Sequence, residues 1–131
     1  MGQQQLLLIV LGVILVGVAV VLGIQYFAVG AEEGAKDELV AHTLTVGANA
    51  QQWFKKPISM GGGGLSFVNF TTDFFNKQPK LATSTNGTYA PSGESNTQIT
   101  ITGTPAANLG YTWTVVTTVY VDSMATVINV P

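Results

Sequence analysis

The stretch Leu6-Leu-Leu-Ile-Val-Leu-Gly-Val-Ile-Leu-Val-Gly-Val-Ala-Val-Val-Leu-Gly-Ile24 decides the fold, because every residue in it is apolar or glycine. These 19 residues make about 28 Å of helix at ~1.5 Å per residue, close to the hydrocarbon thickness of a bilayer. Gln25 is the only polar amide before the run resumes through Tyr26 and Phe27 to Ala31. Upstream, residues 1–5 carry no side-chain charge, so the cationic start of a cleaved secretory signal is missing. The segment therefore reads as part of the working molecule and as able to span a membrane.

Downstream the character changes within one turn. Glu32-Glu33-Gly34-Ala35-Lys36-Asp37-Glu38 brings the first charges, after which Leu39, Val40, Thr43, Val46, Ala50, Trp53 and Phe54 recur at the spacing of one helix face. No proline precedes Pro57, and Lys55 and Lys56 stand where cations favour a helix C-terminus. The pattern predicts one helix from about residue 3 to residue 54, roughly 75 to 80 Å long at ~1.5 Å per residue. A membrane anchor needs only about 20 residues. The surplus implies two successive tasks: complete burial of residues 1–31, then docking of residues 32–56 against a small domain. Gly12, Gly17, Gly23, Gly30 and Gly34 each cost such a helix roughly 1 kcal/mol relative to alanine. Close approach between helices, or local stretching on assembly, is one reason to keep them; the ordinary tolerance of glycine in membrane helices is the other.

Pro57-Ile-Ser-Met-Gly-Gly-Gly-Gly64 breaks the helix and opens a third segment, residues 57–131. Four runs in it are rich in β-branched and aromatic residues: 65–70, 98–102, 111–121 and 125–130. They predict a sheet of about four antiparallel strands, with a tight hairpin at Asp122-Ser123 and turns at Asn86-Gly87 and Ser92-Gly93 in a polar stretch over 77–96. One face of that sheet is expected to cover the amphipathic half of the helix. Trp53, Phe54, Phe67, Trp113 and Val115 are the candidate helix–sheet core, with Thr112, Thr114 and Asn129 on wetter faces. The fold class is α+β: a long N-terminal helix packed on a small C-terminal antiparallel sheet.

Composition narrows the function. With five lysines, no arginine and a net charge of −2, the chain has no basic footprint for a phosphate backbone, and nucleic acid is not an expected partner. The absence of cysteine removes disulfides and thiolate chemistry together. Residues 57–131 hold 14 Thr, 6 Ser and 6 Asn against five charges, an uncharged hydrophilic surface that packed copies can share without repulsion. The single histidine, His42, lacks the companions a triad or zinc site requires and is expected to be solvated. Glu32, Glu33, Asp37 and Glu38 are expected to form a solvated collar. Gly61 to Gly64 is not followed by the Lys-Ser/Thr of a phosphate loop. The acceptor patterns at Asn69 and Asn86 are frequent chance matches in an Asn/Thr-rich chain. No catalytic, cofactor or metal site is expected.

This architecture resembles the type IV pilins, in which a hydrophobic helix of some fifty residues is buried in a filament core along its first half and packs under a C-terminal sheet along its second. The likeness covers the whole plan, and in sequence chiefly residues 1–54. It implies a structural subunit of an extracellular filament: one copy among many, held in the inner membrane before assembly, polymerised by a pilus assembly machinery and displayed at the cell surface. It implies a polymerisation interface over Gln5, Leu6, Leu7, Leu8, Ile9, Val10, Leu11, Gly12, Val13, Ile14, Leu15, Val16, Gly17, Val18, Val20, Val21, Leu22, Gly23, Ile24, Tyr26 and Phe27. Three departures stand out. Gln5 occupies the place where pilins typically carry a glutamate, and an amide accepts from an ammonium without charge assistance. The family's helix-bending proline and its C-terminal disulfide are absent. A leader ending at Gly2 would make Gln3 the first residue, an alternative to a chain that keeps Met1. The competing reading is a single-span membrane protein displaying a β-domain as an adhesin, receptor or minor assembly factor.

Overall fold

The computed structural model describes residues 2–131, and Met1 lies outside the described residues. A single helix, α1, runs over Gly2–Lys55, 54 residues without a break. The chain divides into two compact units, one ending at Gly34 and the other Ala35–Pro131. The boundary falls inside α1, so the globular unit takes in the second half of the helix and is larger than the segment 57–131 that follows the proline.

In the first unit every residue from Gly2 to Ala31 is exposed. This is an apolar helix with no intrachain cover.

The second unit is a helix on a sheet. Five strands, β1 (Thr83–Ser84), β2 (Gly87–Ser92), β3 (Gln98–Pro105), β4 (Thr114–Tyr120) and β5 (Met124–Asn129), pair in sequence order. Every neighbouring pair is antiparallel, with Thr102 opposite Val116 and Val116 opposite Val127. Alternation does the sorting: Ile99, Ile101, Val115, Thr117 and Val119 are buried while Thr100, Thr102, Thr118 and Tyr120 are not. Onto that face α1 lays Ala35, Leu39, Thr43, Val46, Gly47, Ala50, Trp53 and Phe54, all buried.

The core has two parts. One gathers Val46, Ala50, Trp53, Phe54, Phe67, Phe70, Phe75, Ile99, Ile101 and Val119, and the other Ala35, Leu39, Tyr89, Trp113 and Val115. Full burial of such side chains stabilises by about 1.5 to 3 kcal/mol each. Between the two lies a polar crossing: Thr117 Oγ1 donates to Thr43 Oγ1 at 2.9 Å and shares a hydrogen bond with Thr126 at 3.0 Å. Thr43 Oγ1 donates in turn to the Val40 carbonyl at 2.8 Å. These hydroxyls are satisfied inside the core, so Thr117 is not one of the solvent-face threonines.

The glycine run finishes the helix. Gly63 N donates to Trp53 O at 2.9 Å, Gly64 N to Lys56 O at 2.9 Å and Leu65 N to Phe54 O at 2.8 Å. The loop thus supplies partners for carbonyls that a helix end leaves open. Gly61 and Gly64 adopt φ of 80° and 59° to turn the chain back, a conformation that glycine takes without steric cost.

The structure corrects the sequence reading within the segment 57–131, where the strand predicted over 111–121 begins only at Thr114. Residues 65–70 form no strand: Leu65 and Asn69 both have positive φ, which an extended run does not tolerate, and Phe70 begins a short helix, α2 (Phe70–Asp73). Glu94 holds this turn by accepting from Asn69 N at 2.9 Å, Thr71 N at 2.8 Å and the Thr71 hydroxyl. Phe67 reaches the core from a loop. Conversely, the polar stretch 77–96 contains α3 (Pro79–Ala82), β1 and β2, so the sheet has five strands instead of four. Its hairpin turn is Thr85-Asn86, one residue earlier than Asn86-Gly87.

Gly47 on α1 lies against Val119 of β4 and Met124 of β5. A Cβ there would stand 2.6 Å from Met124 Sδ and 2.9 Å from Val119 Cγ2. Gly47→Val is therefore expected to cost about 2 kcal/mol of stability, measured by denaturant unfolding of the full chain in detergent with Trp53 and Trp113 fluorescence as the probe. Burial pushes the Tyr89 phenol above its ordinary value, the hydrogen bond with Ser84 opposes this, and the Glu38 charge adds to the rise. A phenol raised on folding holds its stabilising effect below the unfolded value of about 10 and loses it as pH climbs through the folded value. Melting curves between pH 9 and 12 are expected to fall more steeply for the wild type than for Tyr89→Phe.

Candidate functional site

The largest chemical anomaly of the chain is the first half of α1. Its large apolar side chains are exposed throughout, from Leu22 at 46% to Phe27 at 80%. Soluble monomers rarely expose a contiguous apolar patch beyond a few hundred Å². Here the patch encircles the helix, since all the sequence-predicted interface positions from Gln5 to Phe27 are exposed. α1 contains a stretch long and apolar enough to cross a membrane.

The local reason is simple. Leu, Val and Ile fill all sides of the helix between Leu6 and Ile24, and no charged residue occurs before Glu32. Shallow concavities open between these side chains, one at Gln3, Leu6, Leu7 and Val10, another at Ile14, Gly17, Val18, Val21, Leu22 and Gln25. They are the grooves of a bare helix and hold no convergent polar groups. At Gly12, Gly17, Gly23, Gly30 and Gly34 an added Cβ would meet nothing within 4 Å. These glycines serve no contact within the chain, unlike Gly47.

The remaining candidates are occupied by the fold. His42 is half-buried, not solvated: its Nε2 lies 3.0 Å from the Leu81 carbonyl and its ring stacks on Tyr89 at 3.9 Å. Both partners come from the stretch 77–96, Leu81 from α3 and Tyr89 from β2, elements that the sequence reading leaves out. The collar is uneven, with Glu33 and Asp37 exposed, Glu32 and Glu38 half-buried, and Glu38 accepting from the Asn86 amide. That bond also engages one of the two glycosylation-pattern asparagines. Lys36 lies 5.5 Å from the centre of the Trp113 ring, a cation–π contact that covers one end of the core. Among the described residues no three His, Asp or Glu side chains come together as a metal site would require.

The five candidate core residues, Trp53, Phe54, Phe67, Trp113 and Val115, are all buried. Phe54 stacks on Phe67 at 4.6 Å, and Tyr111 stacks on Trp113 at 5.4 Å. Thr112 and Asn129 are exposed and Thr114 is half-buried.

Further large apolar side chains are exposed at two other places in the unit Ala35–Pro131. Ile58, Met60 and Leu65 are exposed in the loop after α1, and Val127 and Val130 at the end of the sheet. The sequence predicts strands at Leu65 and Val130, and alternation alone does not reveal which face stays uncovered. Comparison of the chain with protein families, with curated proteins and with solved structures finds no match.

Proposed function

We propose that the chain is the structural subunit of an extracellular helical filament of the type IV pilin kind, membrane-inserted before assembly and polymerised through the first half of α1. One observation carries the reading: an apolar helical surface, exposed on every side, continues without interruption into the core helix of a folded domain. A surface of this kind is compatible with lipid or with other helices of its own kind, and with little else. In lipid, residues 6–24 span the hydrocarbon. In the filament the same residues are sheltered by the helices of other copies.

The exchange between the two environments is close to neutral in hydrophobic terms, because lipid tails are as apolar as leucine and packing decides the balance. Nothing charged from Gly2 to Ala31 has to be desolvated. The unfilled space at Gly12, Gly17 and Gly23 supports close helix approach between copies. The threonine-rich outer face of the sheet, with Thr88 and Thr104 exposed, suits a coat that stays wet without charge repulsion. The role is architectural, and its partners are further copies, the membrane and an assembly machinery.

Electron microscopy of material sheared from cells is expected to show helical polymers in which residues 6–28 are covered by neighbouring helices. Detergent-solubilised monomers as the only species would overturn the reading. The match of residues 6–24 to a bilayer favours a rival, a membrane-anchored β-domain that works as a monomer. Replacement of residues 6–24 by an unrelated transmembrane helix separates the two: polymer formation is expected to vanish while membrane insertion survives, whereas full function of the chimera would establish the rival.

A further inference from the structure

Two Asn-X-Thr triplets, Asn69-Phe70-Thr71 and Asn86-Gly87-Thr88, carry the pattern of N-linked glycan acceptors. The pattern alone is weak, but the fold treats the two asparagines differently. Asn86 is half-buried and donates its amide to the Glu38 carboxylate, and Gly87 beside it is packed against Leu39 and the Thr104 carbonyl. Asn69 is exposed on a turn where it takes φ of 73°, and among the described residues its side-chain amide has no hydrogen-bond partner. Asparagine visits that left-handed conformation more readily than most residues. The turn therefore holds an asparagine at the surface without using its side chain.

The rest of the triplet is built into the fold. Phe70 is fully buried with its ring 5.6 Å from that of Trp53, and the Thr71 hydroxyl donates to Glu94. A glycosyl transferase has to reach the asparagine amide and the hydroxyl two residues on together, so the sugar is added before α2 closes. Folding then takes Phe70 into the core and leaves Asn69 at the surface, where a branched polymer has room. Leu65 and Val68 are exposed in the same loop, and a hydrated sugar beside them shields apolar surface that the chain leaves bare. We infer that Asn69, and not Asn86, is an N-glycosylation site that takes an oligosaccharide from a lipid-phosphate carrier. In the transfer the bond from the anomeric carbon to the phosphate oxygen breaks and a bond from that carbon to Asn69 Nδ2 forms; the phosphate leaves with the bonding pair, and one of the two Nδ2 protons is released. The inference rests on one part of the proposed function, the outward placement of the unit Ala35–Pro131, and does not require polymer.

The test is mass spectrometry of the full chain taken from the cells that make it, both as sheared material and from the detergent-extracted membrane fraction. After proteolysis, the peptide with Asn69 is expected to carry sugar mass increments on most copies and the peptide with Asn86 none. Asn69→Asp, which keeps a residue tolerant of the left-handed turn, and Thr71→Ala are each expected to remove the increment completely, while Thr71→Ser retains it. Occupancy is read on peptides and set before folding, so a variant that folds poorly still reports. Bare Asn69 in both fractions would overturn the assignment, as would sugar on Asn86 or sugar that survives Thr71→Ala. Chain that carries sugar on Asn69 but never polymerises removes the filament reading and leaves this site standing. Polymer made of bare chain does the reverse.

Discussion

Everything in this molecule is arranged around an apolar helical surface that the chain cannot cover by itself. From Leu6 to Val29 the side chains of α1 face outward on all sides, and water is the one environment they exclude. A domain of this size has no spare layer to fold over such a rod. The cover has to come from lipid or from other molecules, so the state in which the protein works is set by what surrounds it. The membrane-compatible helix is a property of the chain; the filament is our proposal for what replaces the membrane.

The globular unit solves a different problem with the same helix. With no cysteine and a five-stranded meander, the sheet depends on the second half of α1 for six of the fifteen buried apolar residues of the core. Gly47 lets the helix close onto Val119 and Met124, the Thr43–Thr117–Thr126 hydroxyls satisfy one another at the crossing, and two aromatic groups seal the ends. The glycine-rich loop closes the helix through backbone bonds alone. Low charge is therefore no sign of a weak fold here, because packing and backbone bonding carry the unit.

Much of this was legible in the sequence. Fold class, the extent of α1 and the three later strands follow from strong periodic signals: complete apolarity over residues 6–24, a three-four spacing from Leu39 to Phe54, and a period of two in 98–102 and 111–121. The failures have physical causes. The run 65–70 has strand composition, yet Leu65 and Asn69 take left-handed conformations under the pull of the helix-closing loop and of Glu94, partners distant in sequence. The strand over Gly87-Thr-Tyr-Ala-Pro-Ser92 lacks an apolar pattern because its buried positions are Gly87 and Tyr89, which lie against Leu39 and His42 of α1. His42 reads as solvated in the sequence for the same reason: its partners Leu81 and Tyr89 lie in α3 and β2, which no apolar pattern announces. The apolar positions from Leu6 to Phe27 were legible because exposure there needs no tertiary information.

The continuity of α1 through Gly34 and Ala35 has a mechanical corollary. Many surface proteins hang their folded part on a pliable tether, which stretches before the fold is loaded. Here the backbone ladder that would be gripped at one end is itself the central beam of the folded part at the other. Were residues 6–24 held as proposed, in a membrane or in a filament, the stretch that joins them to Leu39, Val46 and Trp53 would be helix and not slack.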